Sequence, residues 1–168
     1  MSTSFDYSEP DLIVFTVGTV GPPGNRTFYL QVREPADVRS FKLEKQQVVA
    51  LADYLDEQLA DTPPVDALPD TELTLMEPVV PEWVVGPLGI AYDDDLDQFV
   101  VVAEEFADEQ DEEDDTATEP ATARFRLRRD QVALFVRHAR QLVEAGRPPC
   151  LLCGQPMDPD GHICPRNN

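Results

Sequence analysis

Apolar residues follow two different patterns along this chain, and each pattern predicts one type of secondary structure. Short β-rich runs predict strands, whereas apolar residues at spacings of three and four predict one face of a helix. In the first half the pattern predicts three strands and then one helix, at residues 12–17, 27–33, 38–43 and 44–59. Pro63 and Pro64 end the helix, because proline cannot continue it. Residues 1–10 are polar, and we expect them to be loose.

The same order of strands and helix returns after a proline- and acid-rich connection over residues 60–81. Inside that connection, residues 72–76 are compatible with one short strand. The second half is predicted as strands and then a helix, at residues 82–85, 90–92, 98–105, 123–127 and 130–145. Residues 107–120 are acidic and contain no basic residue, which predicts an exposed and mobile loop.

Part of the second half repeats the first half without a gap. The block from Phe41 to Leu51 aligns with the block from Phe125 to Phe135, and each is a Phe-x-Leu strand followed directly by a helix. Neither half has enough apolar residues for a core of its own. We therefore predict an α+β fold in which two similar strand–strand–strand–helix units share a mostly antiparallel sheet. The predicted boundaries are 1–146 for this domain, with halves at about 11–60 and 82–146, and 147–168 for a C-terminal tail.

Two glycine pairs also align, Gly18-x-x-Gly21 with Gly86-x-x-Gly89, and we interpret both as duplicated turns. The first pair lacks the Lys-Ser/Thr of a phosphate-binding loop and no helix follows it, so we predict a hairpin turn. Residues 93–97 carry four aspartates and superficially resemble a calcium loop. The loop lacks the glycine that such a site needs at its sixth position, which favours a solvated turn.

Charge divides the chain into unequal parts. The 168 residues carry a formal net charge of −20, which disfavours binding to nucleic acid or to an anionic membrane. Residues 46–123 contain no Lys or Arg. The second half, by contrast, carries a possible partner surface of Arg124, Arg126, Arg128, Arg129, Arg137 and Arg140. The alternative is that these arginines pair with the acidic insertion or the acidic first half, and we favour it.

The C-terminal tail holds all three cysteines and one of the two histidines. Their spacing is Cys-x2-Cys-x8-His-x-Cys, and a Cys3His set completes the tetrahedron that Zn²⁺ prefers. Because no position stays open, we predict a structural zinc held by Cys150, Cys153, His162 and Cys164. A redox pair of Cys150 and Cys153, or thiols without a metal, are the alternatives. The other histidine, His138, is predicted on a helix surface rather than as a base.

The residues from Phe15 to Gln31, from Lys42 to Val48 and from Gly146 to Pro165 resemble a family of actinobacterial proteins of unknown function, the domain-of-unknown-function family 3090. The resemblance covers nearly the whole chain. It implies a cytosolic protein, in a family often encoded near a phosphoglycerate-mutase-like protein and a kinase-like protein. It implies no catalytic residue.

Three functions are compatible with these patterns. We favour a non-enzymatic regulatory or adaptor protein that binds another protein. The chain offers no catalytic constellation, its predicted metal is structural, and its surface is predicted to be bipolar. The second is an enzyme acting on a phosphorylated substrate, which requires a concave pocket with convergent charged groups. The third is nucleic-acid binding through the arginine-rich half, which the net charge disfavours. Without a signal peptide or an apolar run long enough to cross a bilayer, we expect the protein in the cytoplasm.

Overall fold

The computed structural model of the protein describes residues 2–22, 24–108, 119–145, 151–153 and 164–165. Its elements in chain order are β1 (Phe5–Tyr7), a 3-10 helix (Pro10–Leu12), β2 (Val14–Val20), β3 (Thr27–Glu34), β4 (Asp37–Leu43), α1 (Lys45–Ala60), β5 (Pro81–Asp93), β6 (Gln98–Glu105), β7 (Thr122–Arg128) and α2 (Arg129–Glu144). The strands form one seven-stranded mixed sheet in the order β1-β7-β6-β5-β4-β3-β2. No helix among the described residues is long and apolar enough to cross a membrane.

The predicted α+β class is confirmed. Both helices and most of the strands lie within a few residues of their predicted positions, because strong local periodicity specifies them. Four neighbouring strand pairs are antiparallel, while β1–β7 and β4–β5 are parallel. The predicted hairpin turn joins β2 to β3, with Gly21 and Gly24 at positive φ. The acidic loop predicted at 107–120 lies mostly outside the described residues, and so does most of the tail.

The prediction of a loose N-terminus is wrong. Residues 5–7 form β1, which pairs in parallel with β7. Phe5 and Tyr7 flank a polar residue, and Tyr7 stacks on Phe125 with ring centroids 5.4 Å apart. A strand of three residues is too short for periodicity to indicate, and its stability comes from contacts with distant residues.

The predicted break over residues 86–89 is also wrong, since β5 continues through it. The first part of β5 pairs with β4 and the rest pairs with β6, with a register shift between Val85 and Leu88. Such an irregularity lets one strand bend from one neighbour to the next. Gly86 lies at this bend, where an added Cβ would lie 2.9 Å from the Cα of Phe106.

The sheet is strongly rolled around an aromatic core. Four strands separate β2 from β7 in the sheet, so a flat sheet would hold them roughly 24 Å apart. The rings of Phe15 on β2 and Phe125 on β7 nevertheless lie 5.0 Å apart. The ring of Phe135 on α2 lies 4.8 Å from that of Phe15. The helices therefore pack on the inner face of the rolled sheet.

The two halves of the chain make reciprocal contacts. β1 precedes the first three-stranded meander but pairs with β7 of the second, while β5 begins the second meander and pairs first with β4. Gln47 at the start of α1 donates to the carbonyl oxygens of Val85 and Gly86 at 3.0 and 2.9 Å. Gln131 at the start of α2 donates to the carbonyl oxygens of Pro10 and Ile13 at 2.8 and 3.2 Å.

The strand register does not reproduce the aligned glycine pairs. Phe41 and Phe125 occupy matching places, since they pair with Leu30 and Val101 in the middle strand of each meander. With these as equivalents, Gly18 corresponds to Ala91 rather than to Gly86. The internal duplication stays a prediction, and the reciprocal glutamine contacts favour it more than the glycines do.

We expect Gln47→Ala and Gln131→Ala to lower the free energy of unfolding by similar amounts, about 1–3 kcal/mol each. Each glutamine also accepts the backbone N–H of the residue that precedes its helix, at 2.7 and 2.8 Å. Urea denaturation measures the loss. The control is Gln46→Ala, an exposed neighbour, which should change stability by less than about 0.5 kcal/mol. A large loss for one glutamine and none for the other would contradict their equivalence.

Candidate functional site

The connection between α1 and β5, residues 61–80, crosses the outer face of the sheet, and we call it the strap. The Thr16 hydroxyl donates to the carbonyl oxygen of Leu73 at 2.6 Å. The side-chain amide of Gln31 both donates to and accepts from the backbone of Met76, at 3.1 and 2.9 Å. Residues 72–76 were compatible with a short strand in the sequence. They are held to the sheet by hydrogen bonds from side chains rather than by a backbone hydrogen-bond ladder.

Close packing adds to these hydrogen bonds. Gly18 makes room for the strap, because a Cβ at this position would lie 2.3 Å from Cγ of Leu75. Arg33 donates to the carbonyl oxygen of Glu72. The sequence of β2 does not indicate this cover, because Thr16 and Gly18 alternate with apolar residues as they would on a solvated sheet face.

The strap is held at its other end by Arg129 of α2. Nη1 of Arg129 donates to the carbonyl oxygen of Pro63 at 2.7 Å, and Nε donates to Asp97 at 2.8 Å. Between the two anchored ends, residues 65–71 form no hydrogen bond with any described residue. Most of these residues are exposed. The middle of the strap thus presents unpaired main-chain groups.

Three adjoining cavities lie along the strap, and together we call them the groove. Their volumes are about 530, 170 and 410 Å³. The first two share Asp11 and Arg128, and the last two share Pro69, Thr71, Leu73 and Leu134. One wall of the groove is the strap, and the other is formed by α2 and the start of β2.

The groove is charged, with more carboxylates than cations. Its carboxylates are Glu9, Asp11, Asp66, Asp70, Glu72, Asp97 and Asp130, and its arginines are Arg128, Arg129 and Arg137. Arg128 pairs with Asp11 and, at 3.0 Å, with Asp130. Arg129 pairs with Asp97 at 2.8 Å. Two of the three arginines are therefore already neutralised by the walls, which leaves the groove acidic.

The Arg129 contact changes the titration of its neighbours. Hydrogen bonds from Arg129 and then Tyr92 hold the pKa of the Asp97 carboxyl below its ordinary value. The same hydrogen bond with Asp97 raises the pKa of the Arg129 guanidinium. Donation to Asp97 likewise raises the pKa of the Tyr92 hydroxyl. Asp97 is therefore ionised at neutral pH and fixes the arginine that anchors the strap.

The predicted arginine surface is divided by the fold. Arg126 pairs with Asp93 at 3.2 Å, and Arg140 of α2 pairs with Asp53 and Asp56 of α1 at 3.3 and 3.1 Å. With Arg128 and Arg129, four of the six arginines thus bind carboxylates of the same chain. The other two, Arg124 and Arg137, are exposed and have no described carboxylate within ion-pair distance.

His138 connects α2 to the edge of the sheet. Its Nε2 lies 2.8 Å from the carbonyl oxygen of Val17 on β2. Because a carbonyl oxygen only accepts, Nε2 carries a proton and donates it. The histidine thus satisfies an edge-strand carbonyl, as Gln131 does near the other end of β2, and it is a structural contact rather than a purely solvated residue.

Two of the four predicted zinc ligands, Cys150 and His162, lie outside the described residues. Cys153 is half-buried and Cys164 is only 8% exposed, whereas Leu151 is 99% exposed. Burial of a cysteine is ordinary, because cysteine is among the residue types most often found fully buried, so the exposure of these side chains does not test the ligand role. Within the described part of the tail and domain, no group of three metal-binding side chains occurs.

The chain matches one protein-family model over nearly its whole length. The family model described as "Protein of unknown function (DUF3090)" matches residues 5–164. The chain therefore belongs to this family, and the resemblance noted in its sequence is confirmed. No curated protein and no solved structure matches significantly.

We expect Asp97→Asn to destabilise the protein at neutral pH, by removing the ion pair with Arg129. Since the folded-state pKa of Asp97 is depressed, its stabilisation is present above the unfolded value of about 3.9 and is lost as the pH falls below it. In urea denaturation the stability gap between wild type and variant should therefore stay constant from pH 7 to about pH 5, and it should narrow as the pH falls through the unfolded-state pKa towards the lower folded-state pKa. The control is Asp94→Asn in the same turn, outside any described ion pair. A gap that does not change with pH would contradict the assignment.

Proposed function

We propose that this protein is a non-enzymatic regulatory or adaptor protein of the cytoplasm that binds another protein. The observation that carries the proposal is the internal use of its arginines. Four arginines pair with carboxylates of the same chain: Arg126, Arg128, Arg129 and Arg140. Much of the positive charge is therefore neutralised within the fold. With a net charge of −20, the remaining surface is acidic and complements a basic partner.

The same pairing bears on nucleic-acid binding. Phosphate contacts need arginines that are free to exchange counterions. Only Arg124 and Arg137 of the predicted surface lack a described carboxylate partner. Protein binding is therefore better supported than binding to a polyanion.

The groove meets the geometric condition of the enzyme hypothesis, since it is concave and lined by charged groups. Its chemistry supports that hypothesis less well. In the third cavity a phosphorylated substrate would reach Arg137 but would also face the carboxylates of Asp70 and Glu72. In the first cavity it would have to displace Asp11 and Asp130 from Arg128, or Asp97 from Arg129. Each displacement leaves a carboxylate beside an added negative charge. The arrangement favours a cationic occupant.

The C-terminal tail enters the proposal as a structural zinc site of Cys150, Cys153, His162 and Cys164. Its support is the donor set, Cys3His, and the spacing of its members within one short segment. A tail of about twenty residues has too small a core to fold alone, and zinc supplies folding free energy on the order of 10 kcal/mol. The site would fix the chain end that follows α2.

Purified protein should carry about one zinc per chain. Substitution of a ligand, Cys150→Ser or His162→Asn, should abolish zinc retention in metal analysis and lower the thermal midpoint. The matched control is His138→Asn, which removes the other histidine and should keep the zinc while losing the contact with Val17. Protein that carries well under one zinc, or a Cys150→Ser variant of unchanged thermal stability, would contradict the proposal.

Affinity purification of the tagged full chain from its native cell tests the adaptor function. We expect a basic partner in stoichiometric amount, whose recovery falls as the salt concentration rises, because screening weakens attraction between exposed charges. Quantitative mass spectrometry of the eluate at two salt concentrations measures this. Failure to recover any stoichiometric partner at low salt would count against the proposed function.

A further inference from the structure

We propose that the groove binds an extended basic segment of the protein partner, which forms main-chain hydrogen bonds with strap residues 65–71. This inference rests on the proposed function and assigns it a site. The basic side chains of the bound peptide enter the cavities on the side of α2.

The middle of the strap is fixed at both ends but makes no hydrogen bond of its own with the described residues. Hydrogen bonds hold residues 72–76 to the sheet and Pro63 to Arg129, so both ends of the middle segment are fixed. The segment itself makes no hydrogen bond with described residues. Main-chain groups held in place without partners are what a bound extended peptide uses for affinity. Pro69 lacks a donor, but six other residues of the segment each carry one.

The groove has the dimensions of a short extended peptide. Seven residues span at most about 25 Å when extended, which suits a peptide of similar length. In an extended peptide alternate side chains point to the same side. The two larger cavities, of about 530 and 410 Å³, are separated by a smaller one of about 170 Å³. Large side chains therefore fit the two ends of the groove, and a small one fits its centre.

The groove also carries carboxylates that no described cation neutralises. Four groove carboxylates have no described cation within ion-pair distance: Glu9 and Asp66 in the first cavity, and Asp70 and Glu72 in the third. The carboxylates that pair with Arg128 and Arg129 line the same first cavity, so these two arginines are neutralised there. In the first cavity both arginines are paired, so a guanidinium or ammonium group there would meet unneutralised carboxylates, whereas an anion would meet repulsion. In the third cavity Arg137 has no described carboxylate partner, so its positive charge offsets one of the two carboxylates and the preference for a cation is smaller.

The probe for the first test is a fluorescent peptide of about eight residues with arginine near each end and threonine at the positions between them. A second peptide has the same charges but N-methylated threonine amides, which cannot donate. Fluorescence anisotropy with the full-length protein should show about tenfold weaker binding of the methylated peptide. Equal binding of both peptides would overturn the proposal, because attraction to a protein of charge −20 does not depend on main-chain donors.

The second test locates the site with charge-matched variants. Asp66→Asn/Asp70→Asn removes two groove carboxylates, and Glu57→Gln/Asp61→Asn removes two exposed carboxylates that do not line the groove. The groove variant should bind the unmethylated peptide about tenfold more weakly, and the control variant should change it by about twofold or less. Equal losses in both variants would overturn the site.

The same two variants separate this proposal from the proposed function. In affinity purification, loss of the partner with the groove variant and retention with the control supports the groove. Equal recovery with both variants leaves the adaptor function standing and overturns the groove as its site. If wild-type protein recovers no partner, the adaptor function fails, and the groove is judged by the peptide measurements alone.

Discussion

The contact between Phe15 and Phe125, with ring centroids 5.0 Å apart, sets the shape of this molecule. These rings belong to strands that a flat sheet would hold far apart, so their contact requires the sheet to roll. Rolling encloses a core of fully buried phenylalanines, which include Phe41, Phe99 and Phe125. Burial of each of these side chains stabilises the folded state by about 2–3 kcal/mol. The roll also brings the edge of β2 beside α2, where Gln131 and His138 bind carbonyl oxygens of β2 and of the segment before it.

Electrostatics then decide which surfaces stay available. Arginines that look like a basic patch in the sequence become links between elements, as when Arg140 joins α2 to Asp53 of α1. Arg129 has a second task, since it binds Asp97 and the carbonyl oxygen of Pro63 together. The cations thus hold the strap and the helices in place. The negative charge that remains is exposed, and part of it collects along the groove, which is why we assign a basic partner to this protein.

The strap shows why sequence reasoning reached only part of the candidate site. Its residues are rich in proline and acid, and such composition indicates a connection without indicating where it lies. The outer-face residues Thr16 and Gln31 alternate with apolar ones, which is also typical of a solvated sheet face. Their partners, Leu73 and Met76, are more than forty residues away in the chain. The four-ligand zinc site, by contrast, was predicted from spacing within one short segment and stays a prediction.

By itself, the sequence determined the features that depend on neighbours along the chain: the helices, most strands, the α+β class, the acidic charge and the family. These follow from periodicity and composition, which act over a few residues. The tertiary structure alone decided that β1 exists, that β5 bends from β4 to β6, and that the strap covers β2 and leaves a groove. It also decided which arginines are neutralised. The physical reason is that each of these rests on contacts between residues distant in sequence, whose energies appear only after the sheet has rolled and brought them together.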